Sequence, residues 1–224
     1  MNKGNDNCKH IYIVFVKART GLGKFARLFS DYEYTHVAVC LNGRKNDFLT
    51  FSRRRHNAPF DSGFMHETLD CYAFGKYQNI KLKIYKIPVK AERKRQIEKY
   101  ITEIEKDTEY IFNLYSMATM SVVHGLPIYK AENCMSFVAR ILQLSEAVEM
   151  KEPYYRYNIR EIEELLGGYP YREGLFYKTK IQTRNYMEHV SFAENLHLFL
   201  ELNRKLLARM ICKKDEEGKD TSDV

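Results

Sequence analysis

The chain of 224 residues is 45% hydrophobic, enough to bury a core, which excludes global disorder and suits one domain with an appendage. Its formal charge is +7, and because Asp215 to Val224 hold five acids and one lysine, the rest carries +11; the basic residues are scattered, with short clusters at Arg53–Arg55 and Arg93–Arg95, and no recognition motif for nucleic acid accompanies them. No apolar run is long enough to span a membrane, no signal peptide opens the sequence, and five cysteines without zinc spacing or close pairs predict reduced thiols in the cytoplasm.

Taken in order, Ile11 to Val16 is a continuous apolar run rich in β-formers and predicts a buried strand. Thr20 to Asp31 reads as a loop entering a short helix with Phe25, Leu28 and Phe29. Its GLGK lacks the spacing of a phosphate loop, so nucleotide binding is not expected. In Thr35 to Leu41, THVAVCL, the residues Val37, Val39 and Leu41 alternate toward a core. His36, Ala38 and Cys40 share the other face, where two small side chains leave space beside the imidazole. Asn42-Gly43 opens a turn, and Phe48 to Ser52 returns as a partner strand. With Leu49 and Phe51 in the core, Thr50 and Ser52 fall on the face of His36.

Arg53 to Glu67 reads as a loop, because it contains Pro59 and Gly63. Ile80 to Ile87 alternates as a strand. Ala91 to Asp107 is the clearest helix, with Ile97, Tyr100, Ile101 and Ile104 on one face. A second, more buried helix is predicted over Glu109 to Val123, ending at His124-Gly125. Ala131 to Leu144 predicts another, with Phe137, Val138, Ile141 and Leu142 as its apolar stripe and Asn133 as its N-cap. That cap puts Cys134 at the first helical position, where the helix dipole favours a thiolate and the free N–H groups suit an oxyanion. Asn158 caps a helix over Ile159 to Leu166, with Gly167 past its end, and Leu175 to Ile181 reads as a last strand. Glu188 to Cys212 predicts a long helix with the stripe Phe192, Leu196, Phe199, Asn203, Leu206 and Met210, and with Arg204, Lys205 and Arg209 on its other face.

A cysteine at a helix start and a histidine on a strand make up the arrangement of Cys/His acyl transfer. Here the histidine comes first. In that order the sequence resembles the circularly permuted branch of the NlpC-type, papain-like cysteine hydrolases, the branch that holds the lecithin–retinol acyltransferase-like proteins. The carriers are YTHVAV around His36 and ENCMSFVARIL around Cys134, similar to the family's strand histidine and its NC-x-x-FV helix start. Weaker similarity runs through TFSRR, GFMHE around Glu67, and EYIFN, so that the resemblance covers Ile11 to Ile181.

The resemblance implies an α+β, papain-like fold, with a central antiparallel sheet packed by helices and the cysteine helix against the histidine strand. It also implies a bacterial thiol hydrolase or acyltransferase, with Cys134 as nucleophile and His36 as base. Its substrate would be a peptide, an amide or a lipid-acyl compound, cleaved without metal or cofactor, and Tyr110 would line the site. The third catalytic position departs from the family pattern, which often has a histidine or another strong polar residue on the strand after the histidine. Only Thr50 or Ser52 is available there to orient His36. The departure leaves a second reading, a non-catalytic ligand- or partner-binding module on the same fold.

The expected organisation is a catalytic domain over residues 1–184, an amphipathic C-terminal helix over 185–213, and a disordered acidic tail over 214–224. The apolar stripe of that helix needs cover, from the chain's own body or from a second copy in a homo-oligomer. Its basic face also permits contact with an anionic surface.

Overall fold

The strand predicted at Ile11 to Val16 is longer, β1 (Cys8–Val16), and lies inside a six-stranded sheet. The computed structural model describes residues 8–18, 32–44, 46–179 and 186–217; the helix predicted within Thr20 to Asp31 lies outside them. The chain continues through β2 (His36–Cys40), β3 (Phe48–Arg55), β4 (Ala58–Glu67), a one-turn helix α1 (Leu69–Tyr72) and β5 (Asn79–Lys90). Next come α2 (Ala91–Lys106), β6 (Ile111–Phe112), α3 (Leu114–Val123), β7 (Ala131–Glu132) and α4 (Cys134–Ser145). A 3-10 turn (Tyr154–Arg156), α5 (Ile159–Leu165), β8 (Pro170–Tyr177) and α6 (Phe192–Glu217) complete it. The sheet order is β4-β3-β2-β1-β5-β8 with every neighbour antiparallel, and β6 and β7 form a separate parallel pair. The fold is therefore α+β, an antiparallel sheet packed by helices with a C-terminal helix.

Register decides which residues meet on each face. Val39 lies opposite Ile13 on one side and Leu49 on the other, so these three share a face. That face carries Ile11, Phe15, Val37 and Phe51 and is covered by Ile97, Ile101 and Ile104 of α2 and by Phe137, Val138, Ile141 and Leu142 of α4. The opposite face carries Val14, Val16, Ala38 and Cys40 and packs on Leu69 and Tyr72 of α1 and on Phe176. Both faces of β2 are thus buried. Each large apolar side chain so enclosed contributes roughly 1.5–3 kcal/mol of transfer free energy.

The segment Arg53 to Glu67 is not a loop. β3 runs on to Arg55, and β4 pairs with it from Ala58 to Glu67. Pro59 is tolerated because β4 is an edge strand of the sheet. Gly63 marks a close approach, since a Cβ there would sit 2.4 Å from a guanidinium nitrogen of Arg54. The second predicted helix is shorter, because Asn113 caps it by accepting the N–H of Ser116 at 3.0 Å, and Ile111–Phe112 is released to pair with β7. The last strand starts earlier, at Pro170, on the other edge of the sheet, where a missing N–H costs no ladder bond.

After α3 the chain turns through His124 and Gly125, both with positive φ. Gly125 has φ +90°, and a Cβ there would lie 2.0 Å from the carbonyl oxygen of Tyr155. A side chain is excluded by conformation and by contact together. Gly125→Ala should cost about 2–4 kcal/mol, read as a lowered urea midpoint; an unchanged midpoint would contradict the close approach.

The C-terminal helix α6 packs on the chain's own body, and its inward face keeps Phe199, Asn203 and Leu206 of the predicted stripe and adds Leu202, while the first part of the stripe is left outside. Leu202 and Leu206 are buried with Ile111, Ile128 and Ala131, whereas Phe192 is 84% exposed and Leu196 45%. Polar contacts turn the helix to this face. The Tyr115 hydroxyl donates to Asn203 Oδ1 at 2.8 Å, and Arg55 pairs with Glu194 at 2.7 Å. Arg209 donates to the carbonyls of Tyr129 (3.0 Å), Lys130 (2.8 Å) and Glu109 (2.6 Å). Phe199 stacks edge-on against Phe60, with centroids 4.8 Å apart. Helical structure continues through Glu217, past the predicted start of the acidic tail.

Candidate active site

The start of α4 is built as the spacing predicts. Asn133 is extended, and its Oδ1 accepts the N–H groups of Met135 and Ser136, each at 3.0 Å. Ser136 Oγ in return accepts the N–H of Asn133 at 3.0 Å, closing a capping box. Cys134 is the first helical residue and is 7% exposed. The strand β7 feeds the chain into this turn, so the sulfur sits on a main chain tied both behind and ahead.

His36 is the first residue of β2, at the end of the strand against which α4 packs. Its Nε2 meets Glu67 Oε2 at 2.8 Å, and the Cys134 thiol acts on the ring from close by. With Nε2 engaged by the carboxylate, Nδ1 is the nitrogen left for the sulfur. Glu67 is 3% exposed. Besides the imidazole, its oxygens accept from Ser52 Oγ at 2.6 Å and from the Tyr72 hydroxyl at 2.6 Å. The Tyr72 ring stands edge-on to the imidazole, with centroids 5.8 Å apart.

The electrostatics follow from this enclosure. Burial opposes the charged form of His36, but the charge of Glu67, the hydrogen bond with Cys134 and that with Glu67 together hold the imidazolium well above the ordinary imidazole range. Burial likewise opposes an ionised Glu67, and the charge and hydrogen bond of His36, with those of Ser52 and Tyr72, hold its carboxyl below the ordinary value. The two directions agree on a carboxylate–imidazolium pair beside the Cys134 sulfur, with the carboxylate buried and the ring largely enclosed.

Of the predicted site residues, Cys134 lies beside the His36 ring, and the direct hydrogen-bond partner of the ring is neither of the two residues expected to orient it. Cys134 and His36 come together. Thr50 is fully buried on the predicted face, but its Oγ1 donates to the Val37 carbonyl at 2.9 Å, so it serves the strand and does not orient His36. Ser52 donates to Glu67 and reaches the imidazole only through that carboxylate. The direct partner is Glu67, at the end of the strand taken for a loop. Tyr110 is half-buried beside Phe51, with centroids 6.2 Å apart, and faces Glu132. Among the described residues no group of three or more His, Cys, Asp or Glu is arranged to hold a metal ion.

Compared with protein-family models, with curated proteins and with solved structures, the chain matches none.

Proposed function

We propose that the protein is a thiol hydrolase or acyltransferase of papain-like chemistry, related to the permuted NlpC-type enzymes. The observation that carries the reading is the 2.8 Å pair of His36 with the buried Glu67, formed next to Cys134 at the capped start of α4. The imidazolium already carries the thiol's proton, and the sulfur attacks the carbonyl carbon of an amide or ester, forming the C–S bond as the carbonyl π bond opens to the oxyanion. Main-chain N–H groups at the start of α4 hold the oxyanion. His36 then protonates the leaving amine or alcohol as the C–N or C–O bond breaks. Water or an acceptor hydroxyl, deprotonated by His36, takes the acyl group from sulfur, and the imidazolium is restored beside the released sulfur. Glu67 orients the ring and balances its charge throughout.

The substrate class is a peptide, amide or lipid-acyl compound, and the setting proposed is the reducing cytoplasm. No helix among the described residues is long and apolar enough to cross a membrane.

Brief treatment with substoichiometric iodoacetamide at pH 7 should label Cys134 ahead of the exposed Cys8. His36→Ala should lower Cys134 labelling about tenfold or more, because the imidazole no longer takes the proton. Screening acyl and peptidyl amide libraries, with Cys134→Ala as control, then identifies the bond cleaved. Labelling of Cys8 with Cys134 untouched, together with no turnover, would leave a binding module on this fold.

A further inference from the structure

A second buried carboxyl lies two residues before the nucleophile. Glu132, at the end of β7, is 7% exposed, and the mechanism above does not use it. One of its oxygens accepts from Ser136 Oγ, and the other accepts from the Tyr154 hydroxyl at 3.3 Å. Its main-chain carbonyl accepts the N–H of Asn113 at 2.8 Å, which fixes it in the β6–β7 pair. Ser136 is the residue whose oxygen also accepts the N–H of Asn133, just before Cys134, and Asn133 Oδ1 accepts the N–H groups of Met135 and Ser136, just after it. A continuous run of hydrogen bonds therefore leads from the Glu132 carboxylate to the turn that bears the sulfur.

We propose that Glu132 is a positioning residue for Cys134: its carboxylate holds the Ser136 hydroxyl, and Ser136 holds the main-chain turn on which the thiol is mounted. The inference rests on the thiol-enzyme reading only for what the positioned sulfur does.

The surroundings make this carboxyl responsive near neutrality. Tyr154 of the 3-10 turn bonds it, Tyr100 of α2 and Tyr110 before β6 feel its charge, and among the described residues the cation that acts on it is Arg140 of α4. That guanidinium stacks on Tyr154, 4.9 Å from the ring centroid, and donates to Gln143 at 2.6 Å. Burial raises the Glu132 carboxyl to about 7, against the lowering effects of Ser136, Tyr154 and Arg140. His36 is held well above neutrality and does not titrate over the same interval. Ionisation gives the Ser136 hydroxyl a full acceptor; protonation weakens it. Because the folded chain retains this proton longer than the unfolded one, stability also falls as pH rises from the ordinary carboxyl range through about 7.

The test is the iodoacetamide alkylation rate of Cys134 in the full chain from pH 5 to 9, beside thermal midpoints over the same range. The wild type should show a step near pH 7, faster on the alkaline side by about fivefold, the equivalent of one ordinary hydrogen bond. Glu132→Gln should lose the step and the matching fall in stability. Ser136→Ala should lose the step in alkylation while the midpoint still depends on pH, since the carboxyl remains. A Glu132→Gln profile that superimposes on the wild type overturns the proposal, as does a step retained in Ser136→Ala; the second variant decides alone should the first not fold. His36→Ala reports separately on the thiol–imidazole pair. If it leaves neutral alkylation unchanged, the enzyme reading fails, and the comparison between Glu132→Gln and wild type still stands.

Discussion

Glu67→Gln should lower turnover by about 10³–10⁴-fold while Cys134 and His36 remain in place. The substitution keeps the volume of the side chain but removes its charge. Glutamine offers one acceptor where the carboxylate serves three donors, the His36 ring, Ser52 and Tyr72. The imidazole is then free to take the wrong tautomer, and its hold on a proton weakens. Glu67→Ala should be worse for the fold, by about 3–5 kcal/mol, because it strands a buried imidazolium and two hydroxyls without a partner. The pH dependence has a definite sign. Glu67 is lowered, so its contribution is present above the ordinary carboxyl range and fades as pH falls through its folded value. His36 is raised, so its contribution is present below the ordinary imidazole range and fades as pH rises through its folded value. Urea unfolding from pH 4 to 10, followed in a Glu132→Gln background to remove the slope of that carboxyl, should show a plateau between the ordinary carboxyl and imidazole ranges with Glu67 present and none in Glu67→Ala. Turnover of Glu67→Gln equal to wild type would remove Glu67 from the mechanism.

Leu206→Ala should cost about 2–5 kcal/mol, the range for a leucine deleted from a closed core. Leu206 is fully buried among Leu202, Ile111, Ile128 and Ala131. Ile111, Ile128 and Ala131 belong to or flank β6 and β7, the pair that delivers the chain to Cys134. A chain ended at residue 184 loses Leu202, Leu206 and the Arg209 contacts at once, and should fail to fold stably instead of surviving as a separate unit. Thermal denaturation of Leu206→Ala, with Cys134 labelling as a second readout, checks this. A truncated chain with the wild-type midpoint would restore the boundary near residue 184.

Local pattern was enough for β2, α2 and α4, because each carries a clean period and α4 has Asn133 as its own start signal. It was enough, too, for the face of Thr50 and Ser52, which follows from alternation once Leu49 opposes Val39. Glu67 was beyond its reach for a physical reason. A carboxylate becomes the partner of His36 only when three strands align, and the register that joins residues 31 apart is a tertiary fact. Pro59 and Gly63, which speak for a loop when read locally, are permitted by an edge position that the sequence does not display. The same applies to α6. Its 3- and 4-residue spacing marks a stripe, but Tyr115, Arg55 and the carbonyls met by Arg209 choose which side turns inward.

The residues of the site also leave the ribosome in a fixed order. The strands bearing His36 and Glu67 emerge first and are joined by short connections. The sulfur follows only with α4, and the cover over β6 and β7 arrives last, with Leu202 and Leu206. A product released before α4 therefore lacks Cys134, and one released before Leu202 and Leu206 leaves β6 and β7 uncovered. Contacts this distant in sequence slow the final docking.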